Sequence, residues 1–168
     1  QGKELLFKAT YFELYNAQLC IKNDDLPQAF VILRRARKIL KLIVEFWEVL
    51  STISTDGFNK FRDYLSVASG QQSFMYRHVE FILGNKLKNM CEVHSNVPHV
   101  YPAIKKNFES PSLYDSVIGL LSERGYNIAD ECLERDWTEV YNPHRSVEEA
   151  WLEIYKNPSP DNDLYKLG

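Results

Sequence analysis

Along most of the chain the apolar residues recur three and four positions apart, a period that belongs to helices rather than strands. The first segment, Gln1 to Ile21, reads as a helix that gathers Leu5, Leu6, Ala9, Phe12 and Leu19 on an apolar side. Asn23-Asp24-Asp25 is a turn followed by an N-cap. Pro27 then falls in the first helical turn, where its missing N–H costs little. From there a long helix is predicted to about Ile53, with Leu26, Ala29, Phe30, Leu33, Ala36, Ile39, Leu40, Ile43, Phe46, Trp47 and Leu50 as its apolar positions. A short segment covers 56–65. Ser69-Gly70-Gln71-Gln72 has the form of a capping box for a helix carrying Phe74, Met75, Val79, Ile82 and Leu83, and Gly84-Asn85 stops it. After a loop at 95–102, helices are expected over 101–108, 112–124, 128–135 and 146–156. Strand alternation and internal repeats are absent from this pattern. The expectation is an all-α helical bundle with short connections: one domain over 1–157, then a linker and the start of a helix, cut part-way, over 158–168.

Composition sharpens this only a little. At 168 residues, with 45% hydrophobic and 13% aromatic residues, the chain can bury a real core. The net charge of −3 lacks the basic footprint of a nucleic-acid binder, so no nucleic-acid partner is expected. The three cysteines, Cys20, Cys91 and Cys132, are odd in number and far apart, which fits a reducing compartment better than a disulfide framework. No apolar run reaches the roughly 18 residues of a membrane span. A cytoplasmic protein with no membrane partner is the expectation.

Few residues announce chemistry. Arg34, Arg35, Arg37, Lys38 and Lys41 share a helix face that reads as solvated surface rather than an anion site. Cys91, His94 and His99 have loose metal-ligand character, but their spacing matches no common zinc site and a polar loop accounts for them. His78, beside Glu80, reads as a packed or surface histidine. Arg62 is the informative residue. It lies between apolar neighbours, just before the Ser69-Gly70 break, and a guanidinium near a helix N-terminus is a natural seat for a carboxylate. A surface pair with an acidic neighbour is the competing reading. Taken this far, the residues describe a helical bundle with a candidate carboxylate site.

The stretch from Phe58 to Lys86, Phe-Asn-Lys-Phe-Arg-Asp-Tyr-Leu-Ser-Val-Ala-Ser-Gly-Gln-Gln-Ser-Phe-Met-Tyr-Arg-His-Val-Glu-Phe-Ile-Leu-Gly-Asn-Lys, resembles the tryptophan 2,3-dioxygenase family. There the pattern runs F-R-D/E-x-L-x-x-x-S-G-F-Q-S-x-Q-[YF]-R and continues to x-I-E-F-x-L-G-N-K. Phe46-Trp47-Glu48-Val49-Leu50, Pro111-Ser112-Leu113-Tyr114 and Arg135-Asp136-Trp137-Thr138 follow in family order, so the resemblance covers nearly the whole chain. It implies a helical bundle that assembles as a homotetramer and holds a b-type haem. It also implies dioxygen insertion across the indole double bond of L-tryptophan, or a variant reaction on an aromatic amino acid. Carried over by position, Arg62 matches the arginine that pairs with the substrate carboxylate, as a buried guanidinium. Leu65 matches a pocket residue, Ser69 and Gly70 the turn against haem and substrate, and Trp47 and Tyr76 aromatics near the haem.

Departures accompany the match. Aligning Glu13-Leu14-Tyr15 on the family's Glu-Leu-Trp puts Ala9 where a distal histidine is usual and Leu5 where a pocket phenylalanine is usual. Phe58 stands for a tyrosine one turn before the arginine, and Gln71 for the phenylalanine of S-G-F-Q-S. The resemblance places the iron-ligating proximal histidine, and a loop that closes over substrate, beyond Gly168, and an N-terminal segment before Gln1. No catalytic residue and no axial ligand are identified in the sequence. A non-catalytic helical ligand-binding or assembly relative that has lost haem is the alternative.

Overall fold

The computed structural model describes residues 2–65 and 72–168. All of their regular secondary structure is helical: α1 (Gly2–Lys22), α2 (Leu26–Ser51), α3 (Thr55–Arg62), a 3-10 turn (Asp63–Leu65), α4 (Phe74–Ile82), α5 (Lys88–Glu92), α6 (Tyr101–Phe108), α7 (Leu113–Glu123), α8 (Asp130–Leu133), α9 (Arg145–Lys156) and α10 (Asp163–Leu167). The hub is α1, which packs on α2, α4 and α7; α4 in turn packs on α6, and α10 folds back on α2 and α9. No described helix is long and apolar enough to cross a membrane.

The helix ends follow from local chemistry. Asp25 caps α2 by accepting from the Gln28 N–H, with Pro27 in the first turn, as the sequence predicts. The helix α4 stops at Gly84, whose φ of 97° only glycine adopts easily. There Asn85 N donates to Glu80 O and Gly84 N to Phe81 O, closing a Schellman turn. The same pair of bonds ends α7 at Gly125, and ends α1 at Asp24, a non-glycine residue at φ 57°. Arg124 pairs with that Asp24 and with Asp163 at the start of α10. The helix α4 is capped by Ser73, which accepts from Tyr76 N; Ser69, Gly70 and Gln71 of the expected capping box lie outside the described residues. The short α5 was not anticipated in the sequence.

Three clusters make the core. The largest joins Ile21, Leu26, Val117, Ile118, Leu121, Val147, Ile154 and Leu164; a second joins Leu14, Ala36, Val79 and Ile82; a third joins Phe81, Cys91, Ile104 and Phe108. The buried face of α1 is not the one that the apolar residues suggest. Leu5, Ala9, Phe12 and Leu19 face outward, and Thr10, Leu14, Ala17, Gln18 and Ile21 face inward. Apolar residues lie on both sides of α1, and two polar ones are buried because they are satisfied. Thr10 donates to Leu6 O, and Gln18 Nε2 to Pro111 O, Ser112 O and Ser116 Oγ. Past Ile43, no residue of α2, α3 or the 3-10 turn is buried, although many are large and apolar.

Candidate functional site

Arg62 closes α3. That helix is started by Ser54, whose Oγ accepts from the Gly57 N–H. Phe58 is one turn earlier and so shares Arg62's side of the helix, its ring 6.0 Å from the guanidinium carbon. Phe61 meets Phe58 edge-on at 5.3 Å, and Leu65 follows in the 3-10 turn. Arg62 is exposed in this chain, unlike the buried guanidinium that the resemblance implies. Nothing in α3 or the turn is buried, so among the described residues no low-dielectric wall surrounds it. The result is a cation on a bare apolar ledge.

The remaining expected residues gather around the start of α1. Leu5 and Ala9, a turn apart, are both exposed. Trp47 on α2 is 61% exposed, and the Lys3 ammonium sits 3.1 Å from its ring centre. Tyr76 on α4 packs against Phe7 at 5.0 Å, and the Arg77 guanidinium carbon lies 4.8 Å from the Tyr76 ring centre. Burial, then Glu80, raises the Tyr76 hydroxyl above its ordinary proton affinity. Among the described residues no hydrogen bond, ion pair or ring contact joins Arg62 to this second group. Ser69 and Gly70, and Gln71 with them, lie outside the described residues.

The other sequence candidates separate. Cys91 enters the third core cluster, His94 is buried beside Arg77 and Glu4, and His99 is exposed on another flank. Among the described residues no three histidine, cysteine or acidic side chains gather as a metal site. His78 is packed, as expected, against Tyr11 at 4.9 Å. The basic run of α2 is exposed, with Arg35 paired to Glu13.

Sequence reasoning missed three polar devices. Lys86 is 3% exposed, and its ammonium donates to the carbonyls of Asn107, Phe108 and Ser110 at 2.9, 2.9 and 2.8 Å, closing the end of α6. Burial lowers its proton affinity to about 8, so it stays charged at neutral pH. Asp115 completes a capping box with Ser112 and holds Arg135 through two contacts, at 2.7 and 3.2 Å. Burial pushes that carboxyl up, but the bonds from Arg135 and Ser112 outweigh it and leave it below the ordinary carboxylate value. Two of the recognised blocks, Pro111–Tyr114 and Arg135–Thr138, thus meet as a structural clasp. Thirdly, Arg77, Glu80, Glu4 and His94 form a buried polar nest. Glu80 Oε2 lies 2.7 Å from Arg77 Nη1, while among the described residues Arg77 Nε, Glu4 Oε2 and His94 Nε2 have no hydrogen-bond partner. The Arg77-x-x-Glu80 spacing was the available signal.

Comparison with known proteins supplies a frame for this geometry. The family model described as tryptophan 2,3-dioxygenase matches residues 1–103. Among curated proteins, the tryptophan 2,3-dioxygenase of Burkholderia ambifaria (strain MC40-6) is 42% identical over 167 residues, 99% of this chain and 54% of its own length. That of Cupriavidus necator is 42% identical over 168 residues, 100% of this chain and 57% of its own. Tryptophan 2,3-dioxygenase 1 of Ralstonia nicotianae is 41% identical over 99% of this chain and 57% of its own length. The chain spans about half the length of the curated relatives it matches.

Proposed function

Because the chain belongs to the tryptophan 2,3-dioxygenase family, we propose that it forms the substrate-carboxylate half of a haem-dependent oxygenase of an aromatic amino acid, with L-tryptophan the first candidate. The observation that carries this reading is Arg62: an exposed guanidinium at the end of α3, one turn from Phe58 and beside Leu65, in the block that matches the family. A carboxylate on the guanidinium and a ring along Phe58 and Leu65 would use the ledge's cation and its apolar surface together. Leu5 and Ala9 would border the ring from α1. Ala9 offers no proton acceptor, so this chain would not hold the indole N–H through that position. The reaction proposed is dioxygen insertion across the indole double bond to give N-formylkynurenine, or a variant of it.

Haem would supply the dioxygen chemistry. The described residues fit one wall for it and not its iron ligand. Trp47, Phe46 and Leu5 each present exposed apolar surface, with Tyr76 at 37% exposure on α4 and Ser69 and Gly70 following Arg62 in sequence. Two histidines are engaged elsewhere, and a third, His99, is exposed just before α6. His78 Nδ1 meets Asn107, and His144 pairs with Glu131 and Ser146. His94 Nε2 is orphaned, but it is buried beside Arg77, whose charge opposes a second cation. No step is therefore assigned to these residues through iron. The wide apolar surface of α2 and α3 supports burial against further protein, and we place the working enzyme in a homo-oligomer. The cysteines are all unpaired, which supports a reducing cytoplasm.

The test is L-tryptophan binding to hemin-supplemented protein, followed by calorimetry and by the shift of the Soret band. Replacing a charge-assisted partner costs about 1.5–3 kcal/mol, so Arg62→Ala should raise Kd roughly 10- to 150-fold, with Arg62→Lys recovering part. Unchanged affinity in Arg62→Ala would overturn the assignment.

A further inference from the structure

A second concavity lies on another side of α1, between that helix, α4 and α6, with a volume of about 570 Å³. It shares no residue with the ledge around Arg62. Three lysines line it, Lys8 and Lys22 from α1 and Lys106 from α6, and no aspartate or glutamate does. Among the described residues none of the three is paired with a carboxylate, although the chain as a whole carries −3. An unneutralised local excess of three positive charges in an acidic protein is an anion-attracting field. Lys8 and Lys22 stand about four turns apart, roughly 20 Å along the helix, so they bracket the cleft rather than chelate one point.

Between the lysines the wall is aromatic. Tyr11 stacks obliquely with Phe12 at 5.7 Å and Tyr15 at 6.3 Å, and Phe74 faces them from α4. Beneath lies His78, 7% exposed, with a tautomer that its neighbour fixes. The Asn107 amide group contacts both His78 O, at 2.9 Å, and His78 Nδ1, at 3.1 Å. A carbonyl oxygen only accepts, so Asn107 must present its NH₂ there, and Nδ1 must accept as well. The proton is therefore on Nε2, which has no protein acceptor among the described residues. Burial, and then His94, hold the ring neutral by lowering its proton affinity. A fixed N–H donor, aromatic walls and unpaired cations at the rim form one constellation.

We propose that this cleft binds an aromatic carboxylate, with the ring against Tyr11 and Tyr15, the anion held in the lysine field, and His78 Nε2–H donating to an acceptor on the ligand. The volume is within the range of small-molecule sites. Naphthalene-2-carboxylate is the probe, and its carboxamide is the neutral control of the same shape. Side-chain ¹H–¹⁵N spectra of the 168-residue chain report on His78 and His99. The expected result is a saturable shift of both with Kd below about 1 mM, weaker by about tenfold for the carboxamide. The triple variant Lys8→Gln/Lys22→Gln/Lys106→Gln should bring the carboxylate to the level of the amide, and Arg62→Ala should change nothing. The proposal is overturned by no saturable shift up to about 10 mM, by equal affinity for acid and amide, or by loss of binding in Arg62→Ala, which would assign the signal to the ledge. It also fails if sedimentation shows that the triple variant turns an oligomer into monomer, because the cleft is then an interface between copies.

Discussion

Lys86→Met tests how much the fold depends on one buried ammonium. The variant keeps most of the aliphatic stem between Phe81 and Phe108 and removes three donors. Two of the carbonyls it leaves, on Asn107 and Phe108, are in buried bonds, and the third, on Ser110, is partly buried. Asn107 O keeps a bond from the Ser110 N–H, so Phe108 O is the buried acceptor left without a partner, at a cost of about 1–3 kcal/mol. Against this, methionine is not penalised for desolvation, whereas the ammonium is, as its proton affinity of about 8 records. The net loss should be about 1–2 kcal/mol. For a chain of this size that is a fall in Tm of roughly 2–8 °C, read by circular dichroism and checked by urea titration. Lys88→Met, on an exposed neighbour, is the control and should stay within about 0.5 kcal/mol of the parent. A variant that melts at or above the parent temperature would refute the reasoning: desolvation would then outweigh the three hydrogen bonds.

Other outcomes follow from the same structure. Arg135→Met should destabilise by about 3–5 kcal/mol, because it strands the largely buried Asp115 carboxylate; Asp115→Asn/Arg135→Met should be milder than Arg135→Met alone, as a double-mutant cycle in urea would show. Gly84→Ala should cost about 1–2 kcal/mol through its φ of 97° alone, since an added Cβ would meet Ser112 Oγ at an ordinary 3.5 Å; a neutral result would mean that the turn relaxes. Stability should also fall on acidification in two stages. His78 and His94 have folded proton affinities below the ordinary 6.5, so the unfolded chain gains protons first and stability drops as pH falls below about 6.5. Asp115, held below 3.8, adds stability above that value and loses it as pH falls through its lowered range. His78→Gln should reduce the first stage, and an unchanged pH profile of urea midpoints would count against the assignment.

What could be read from the sequence was whatever local chemistry decides. Asp25 and Pro27 start α2, and Gly84 ends α4, because caps depend on a few adjacent residues. Burial was harder. Leu5 and Phe12 looked like core and are exposed, while Thr10 and Gln18 are buried, because partners up to 98 residues away satisfy Gln18. Hydrophobicity has no term for such a rescue. Lys86 and Arg135 were illegible for the same reason: a charged residue reads as surface until the carbonyls or carboxylate that enclose it are placed. Arg62 was legible only as a type of residue in a matching block. Among the described residues one phenylalanine face lies beside it, and Ser69 and Gly70 lie outside the described residues.

The exposed flank of α2 carries its own reporter. Trp47 is the most exposed of the large rings on that helix, and a lysine ammonium lies 3.1 Å from its ring centre. An indole in that position emits as it does in water, and it is reached by dissolved quenchers. Whatever settles over α2, whether another protein surface or a flat dye, must displace both water and Lys3 from that ring. A blue shift with loss of iodide quenching would therefore time the covering event directly, with Trp47→Phe as the blank that separates it from Trp137 and Trp151.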